Sequence, residues 1–217
     1  MAAEAENHVE SPIGRERGRP PLSQFDDSPR GRILTAVVEV VAHGGYRDAT
    51  VDRVLERAHV GWQELTEMFD GLDACFLATL DAGLECAAAR AEEAVEHLGE
   101  GARLDGAFDA ALRAVLEGAA ANPDLTRLCL VEAPALGAAA LERREAGVQR
   151  FVELLERRLE RSGPTGPRTA PPGLAAEMVV GGIYAVVQRK AQADEIEELP
   201  ALADELGQLW LPALRGV

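Results

Sequence analysis

Arg30-Gly31-Arg32-Ile33-Leu34, then Gly44-Gly45-Tyr46, Thr50-Val51, Val54, Ala58-His59-Val60-Gly61, Leu65 and Phe69 decide how this chain folds. Ile33, Leu34, Val37, Val38 and Val41 recur at three- and four-residue spacing, which predicts a first helix that turns one apolar stripe inward and stops at Gly44-Gly45. Tyr46 then folds back onto that stripe. Thr50 is an N-cap residue and opens a second helix with Val51, Val54, Leu55 and Ala58 on one face. His59-Val60-Gly61 makes a tight turn, and a third helix runs from Trp62 to Phe69. Its Leu65 and Phe69 are four apart and share the inner face, leaving Trp62, Gln63, Thr66 and Glu67 outside. Three short helices with a tight turn between the last two are the layout of a helix-turn-helix DNA reader, whose outer face meets the major groove.

From Arg32 to about Phe76 the order helix, Gly-Tyr, Thr-Val, Ala-x-Val-Gly, Leu, Phe resembles the N-terminal domain of the TetR family of bacterial transcriptional regulators. Thr50, Gly61, Trp62, Gln63 and Thr66 are then the candidate DNA contacts of this domain. Some positions depart from the family pattern. His59 stands where Gly is common in the turn, Trp62 where a basic residue is frequent, Thr66 in place of a phosphate-contacting Tyr, Glu67 in place of a His, and Leu72 in place of a Lys. Each departure removes a phosphate or groove contact. Between Arg30 and Leu80 five Arg face eight acids, a net of −3. Those acids either solvate the outer helix surface or face DNA and weaken binding.

Upstream, Arg17-Gly18-Arg19-Pro20 is the core of an AT-hook-like arm. An extended Arg-Gly-Arg segment fits a narrow minor groove because Gly has no side chain to clash, while the two guanidinium groups reach the floor and walls. The alternative is a disordered tail that happens to contain Arg.

The 217 residues suit one helical unit or two sharing a core, and 47% hydrophobic content is ample for burial. A net charge of −15 and a pI near 4.7 argue against indiscriminate binding to nucleic acid or to anionic membranes, so any DNA contact has to be local. No apolar run reaches the roughly 20 residues that span a bilayer, and Met1-Ala2-Ala3-Glu4 lacks the segments of a signal peptide; a cytoplasmic location is expected. Cys75, Cys86 and Cys129 lack metal-ligand spacing and sit among apolar neighbours, which predicts buried, reduced thiols. His8, His43, His59 and His97 are scattered, and no nucleophile motif or phosphate loop appears. We expect no catalysis, no cofactor and no metal ion.

The expected fold class is all-α, with an arm over 1–29, a helix-turn-helix domain over 30–76 and a helical effector-binding and dimerisation domain over 77–217. Beyond Gly71 the pattern predicts helices over about Leu72–Leu98, Asp105–Ala121, a short one carrying Leu125, Leu128 and Val131, and Ala139–Arg161 with the stripe Val148, Phe151, Val152, Leu155 and Leu159. Ser162–Gly173 reads as a loop. Leu174–Ala193 is apolar nearly all round, and Leu199–Leu214 repeats Leu202, Leu206, Leu209, Trp210 and Leu214. A helix without a polar face needs cover on more than one side, from a core or from a partner. Val180, Gly181, Gly182, Ile183, Leu202, Leu206 and Trp210 are the candidate homodimer contacts. The Gly-rich helix followed by Leu-Pro-x-Leu also resembles the TetR family, whose dimers place two readers on a palindromic operator.

The resemblance further implies a pocket for a small effector among the middle helices, whose occupation releases DNA. Candidate lining residues are Phe108, Leu112, Leu116, Cys129, Tyr184 and Val187, with Glu132, Tyr184 and Gln188 as polar anchors. Few aromatics favour an aliphatic or amphipathic effector over a large planar dye. The expected function is therefore a homodimeric, TetR-like regulator, a repressor, whose partners are an operator duplex and a small molecule. The alternative is a ligand- or partner-binding dimer of the same fold whose acidic reader has lost DNA. A purely structural dimer remains if the middle helices enclose no cavity.

Overall fold

The structure is a computed structural model that describes residues 25–99, 101–162 and 171–215. The Arg17-Gly18-Arg19-Pro20 arm and most of the segment after Ser162 lie outside the described residues. Among the described residues every regular element is a helix.

Helix α1 (Pro29–Gly44) begins at Ser28, whose Oγ accepts the Gly31 N–H at 3.1 Å. Pro29 at its first position costs no hydrogen bond there. Ile33, Val37 and Val38 are fully buried, as the stripe predicts. Gly45, at φ 75°, ends the helix in a conformation that strains any other residue. The chain then turns back so that the Tyr46 ring meets Phe76 edge-on, with centroids 4.9 Å apart.

Helix α2 (Val51–Ala58) is capped by Thr50 Oγ1, which accepts the Arg53 N–H at 3.4 Å. The turn to α3 (Trp62–Met68) passes through His59 at φ 53° and ψ 46°. A side chain in that left-handed region costs about 1 kcal/mol. Leu65 and Phe69 are buried beside Val54 and Val60 and close the three-helix unit.

Helix α4 (Leu72–Glu96) runs for about 37 Å. Its first half packs against α1, and its length is covered by α5 (Leu104–Ala121) and α7 (Ala138–Ser162). Between those two lie α6 (Pro123–Arg127), one π-helical turn (Leu128–Glu132) and a 3₁₀ turn (Ala133–Leu136). The single short helix expected to carry Leu125, Leu128 and Val131 thus widens after Arg127. Pro134 contributes to this, because it has no N–H to donate to the Leu130 carbonyl. Helix α8 (Pro172–Gln192) packs on α7, and α9 (Ala203–Arg215) follows a 3₁₀ segment, Ile196–Leu202. The last helix was expected to start at Leu199; Pro200 keeps that stretch out of the α ladder. No helix among the described residues is long and apolar enough to cross a membrane.

Candidate functional site

The face that the sequence assigns to DNA is built by α3. Trp62 is 60% exposed, and Gln63, Thr66 and Glu67 are exposed beside it. Thr66 Oγ1 is folded back on the helix, donating to the Trp62 carbonyl at 3.1 Å or the Gln63 carbonyl at 3.0 Å. Gln63 Nε2 donates to Glu67 Oε1 at 3.1 Å. The Gly61 N–H donates to Glu64 Oε2 at 2.8 Å, so this acid caps α3 and neutralises the positive end of its dipole. Other acids of the unit are also engaged: Glu39 pairs with Arg57, and Asp73 accepts the Tyr46 hydroxyl. That bond and, before it, burial push the Tyr46 phenol above its ordinary pKa.

The arginines of the unit are spent largely on its own structure. Arg32 donates to the Ala58 carbonyl at 3.1 Å and the Asp27 carbonyl at 2.9 Å, and Arg53 to the Asp48 carbonyl at 3.1 Å. Arg30 lies 5.1 Å from the centre of the Phe69 ring. Arg47 is exposed and makes none of these contacts among the described residues. These placements separate two kinds of variant. Trp62→Ala and Gln63→Ala are expected to change which duplex is preferred, Arg47→Ala to weaken all duplexes alike, and Arg19→Ala to weaken binding across all AT-rich duplexes, the last two each lowering the salt slope by about 0.9. Gel-shift titrations over a panel of duplexes at several salt concentrations check this.

A cavity of about 480 Å³ lies among α4, α5, α7 and α8. That volume is in the range of small-molecule sites, about 300–1,000 Å³. Phe108, Leu112, Cys129, Tyr184 and Val187, all expected there, line it. Three expected residues do not. Leu116 is fully buried, Gln188 is half-buried outside the lining, and Glu132 is committed elsewhere. The wall that sequence reasoning missed comes from α4 and α7: Leu84, Ala87 and Ala91 on one, Val148, Phe151 and Leu155 on the other. The stripe on α7 was visible as a pattern, but nothing in it told a cavity wall from a packed core.

A hydroxyl stands buried in the apolar part of this lining, with a guanidinium beside its ring. The Tyr184 hydroxyl is buried with no hydrogen-bond partner among the described residues, and burial raises the phenol pKa. The Arg144 guanidinium sits 5.9 Å from the centre of the same ring. All three thiols are unbridged. Burial pushes the Cys75 thiol up to about 11 and the Cys129 thiol up to about 12, so both stay protonated and unreactive near neutrality. Cys86, expected to be buried with them, is half-buried and lines the cavity. Iodoacetamide is therefore expected to label Cys86 before the other two, and a molecule seated in the cavity to slow that labelling; mass spectrometry of the modified peptides reads both effects.

The π-helical turn joins the cavity to the helix-turn-helix unit. Cys129 and Leu130 form part of the cavity wall, while Glu132, two and three residues on, accepts the Tyr46 N–H on Oε2 at 3.1 Å. Arg127 Nε lies 4.0 Å from this carboxylate, and the same guanidinium pairs through Nη1 with Asp194 at 3.5 Å. A π turn of this kind is a recurrent feature of functional sites in helices.

The candidate dimer residues divide. Val180 and Ile183 line the cavity of their own chain. A Cβ on Gly182 would lie 2.5 Å from the Trp210 ring, so this glycine admits the chain's own tryptophan rather than a partner. Leu206 is buried and Leu202 half-buried within the chain. Gly181 alone of the set is exposed with open space around it. The exposed apolar face lies one step round α8, at Leu174, Met178, Gly181 and Ala185, and continues to Leu209 on α9. Met178 and Leu209 are 59% and 64% exposed, whereas Trp210, one of the expected contacts, is half-buried.

No protein-family profile matches the chain, and no curated protein matches it. Its structure is similar to many solved ones. FadR from Bacillus halodurans, a fatty acid degradation regulator, superposes with a TM-score of 0.73 at 18% identity, over 87% of this chain and 97% of that one. The transcriptional regulator FadR from Bacillus subtilis, solved in complex with stearoyl-CoA, gives 0.71 at 18% identity, over 86% and 98%. A TetR-family transcriptional regulator from Streptomyces coelicolor gives 0.68 at 19% identity, over 88% and 98%. The chain has the fold of TetR-family transcriptional regulators.

Proposed function

From a chain of this fold, we propose a homodimeric DNA-binding regulator that acts as a repressor, binding a palindromic operator and released by a small molecule in the cavity. One observation carries this reading: a single π-helical turn supplies both the cavity wall, through Cys129 and Leu130, and the grip on the reader, through Glu132 and the Tyr46 N–H. A molecule that displaces the wall changes the position of α1 and the reader behind it. By linkage, ligand and DNA then oppose one another to the same degree.

The apolar lining suits an effector with a long aliphatic part, and the stearoyl-CoA held by the Bacillus subtilis FadR carries such a tail. The dimer forms through the outward faces of α8 and α9, which sets two copies of α3 about one or more DNA turns apart. The Arg17-Gly18-Arg19-Pro20 arm adds a minor-groove contact and supplies cations that α3 lacks.

Titrating the protein–duplex complex with neutral hexadecanol tests the coupling. Release of the duplex by the alcohol at concentrations that also displace Nile red from the cavity is expected. Displacement of the dye with the duplex still bound would overturn the coupling.

A second reading keeps the fold and the cavity without DNA. It is favoured by the reading face itself, where Gln63 is tied to Glu67 and α3 offers no cation.

A further inference from the structure

We propose that the mouth of the cavity is a subsite for an anionic head group, so that the effector is an amphiphile with a long aliphatic tail and a carboxylate or phosphate head; this rests on the cavity being the effector site. The chain has a net charge of −15, yet Arg90 of α4 and Arg157, Arg158 and Arg161 of α7 all line this one cavity. Glu92 and Glu96 share the lip, which leaves it a net charge of +2.

The cavity has a direction. Helix α4 starts beside the reader, and Gly83 on it abuts Cys129, whose Sγ lies 2.8 Å from where a Cβ would stand. Arg90 is two turns further along, about 10 Å, at the end remote from the reader. Apolar residues therefore fill the near end and arginines the far end. A linear amphiphile entering tail first brings its tail to the π-helical turn and leaves its head among the guanidinium groups.

Other causes account for part of the cluster. Arg157, Arg158 and Arg161 lie in the last turns of α7, where the helix dipole favours cations. Arg157 also has Glu153 at 3.9 Å, and Arg158 donates to the Ala102 carbonyl. Neither explanation covers Arg90. It is not in the last turn of α4, it is half-buried, and it has no carboxylate partner among the described residues. Its stem lies where a side chain on Gly118 would be, with Cδ 2.9 Å from that Cβ position, so α5 is shaped to seat it. A partly desolvated guanidinium without an acid gains a charge-assisted bond when an anion arrives.

Displacement of Nile red from the full-length protein by palmitate, palmitoyl-CoA and hexadecanol, each below its micellar concentration, tests the subsite. The anions are expected to displace the dye at concentrations about tenfold lower than the alcohol. Arg90→Ala is expected to erase most of that difference while leaving the alcohol within about twofold, and Arg161→Ala, at an exposed position, repeats the comparison if Arg90→Ala does not fold. A stronger effect with palmitate than with palmitoyl-CoA assigns a carboxylate, and the reverse a phosphate. Hexadecanol as potent as the anions, or an anion preference that survives both substitutions, overturns the subsite and leaves the cavity reading standing. Failure of all three compounds to displace the dye overturns the cavity reading itself.

Discussion

Met178→Glu combined with Leu209→Glu is expected to turn the protein into a monomer and to lower its affinity for an operator duplex by about 10²–10⁴-fold. Both side chains stand outward on the apolar face of α8 and α9, 59% and 64% exposed, and touch little of their own chain. Their replacement therefore leaves the fold intact. Placed at a two-fold interface, four carboxylates would be desolvated without partners and set against one another, a cost that an interface of ordinary size does not absorb. Loss of the dimer removes the second reader, and each α3 must then bind its half-site alone. Size-exclusion chromatography with light scattering reads the mass, circular dichroism the helix content, and a duplex titration the affinity. A dimer that survives both substitutions would move the interface to another face.

The second large effect is expected at Glu132. Glu132→Ala removes the acceptor of the Tyr46 N–H and one of two anionic partners of Arg127. The part-buried bond to a charged group is worth about 1.5–3 kcal/mol, and the melting temperature falls accordingly. The functional consequence is more specific. Hexadecanol still binds, because Glu132 lies outside the cavity lining. Its effect on DNA, expected to be about tenfold or more in the native protein, shrinks to about twofold, since the wall no longer holds the reader. A Glu132→Ala protein in which the alcohol releases DNA as effectively as before would show that the signal runs through α4 instead.

The reader was legible in the sequence because each of its parts rests on a local rule. Apolar spacing set α1, Thr50 capped α2, and the four-residue separation of Leu65 and Phe69 fixed which side of α3 faces inward. The role of Glu64 was not legible. As a charge it counted against DNA, and only the structure shows it bound to the Gly61 N–H. The cavity was legible in part. Phe108, Leu112 and Tyr184 could be assigned to it from helix layout, but its α4 and α7 walls depend on how 25-residue helices cross, which no local pattern encodes.

The outer face of α8 shows the same limit from the other side. Helix α8 is apolar nearly all round, so its sequence does not say which stripe meets its own chain and which meets a partner. Trp210 lies over Gly182 and fills that side from within, while Met178 and Gly181 stand exposed. Glu132 was expected to be a polar anchor for a ligand in the pocket that the family resemblance implies. The widening of the helix after Arg127 into a π turn rotates it toward Tyr46 instead.

The most direct test of the account is a titration of the purified full-length protein against the duplex upstream of its own coding sequence and against a scrambled duplex of equal composition, at two salt concentrations. Tight binding to the first duplex, weak binding to the second, and an affinity that falls steeply with salt as phosphate contacts are lost are expected. Equal and weak binding to both duplexes at both salt concentrations would contradict it, and would leave a cavity-bearing dimer whose acidic third helix does not read DNA.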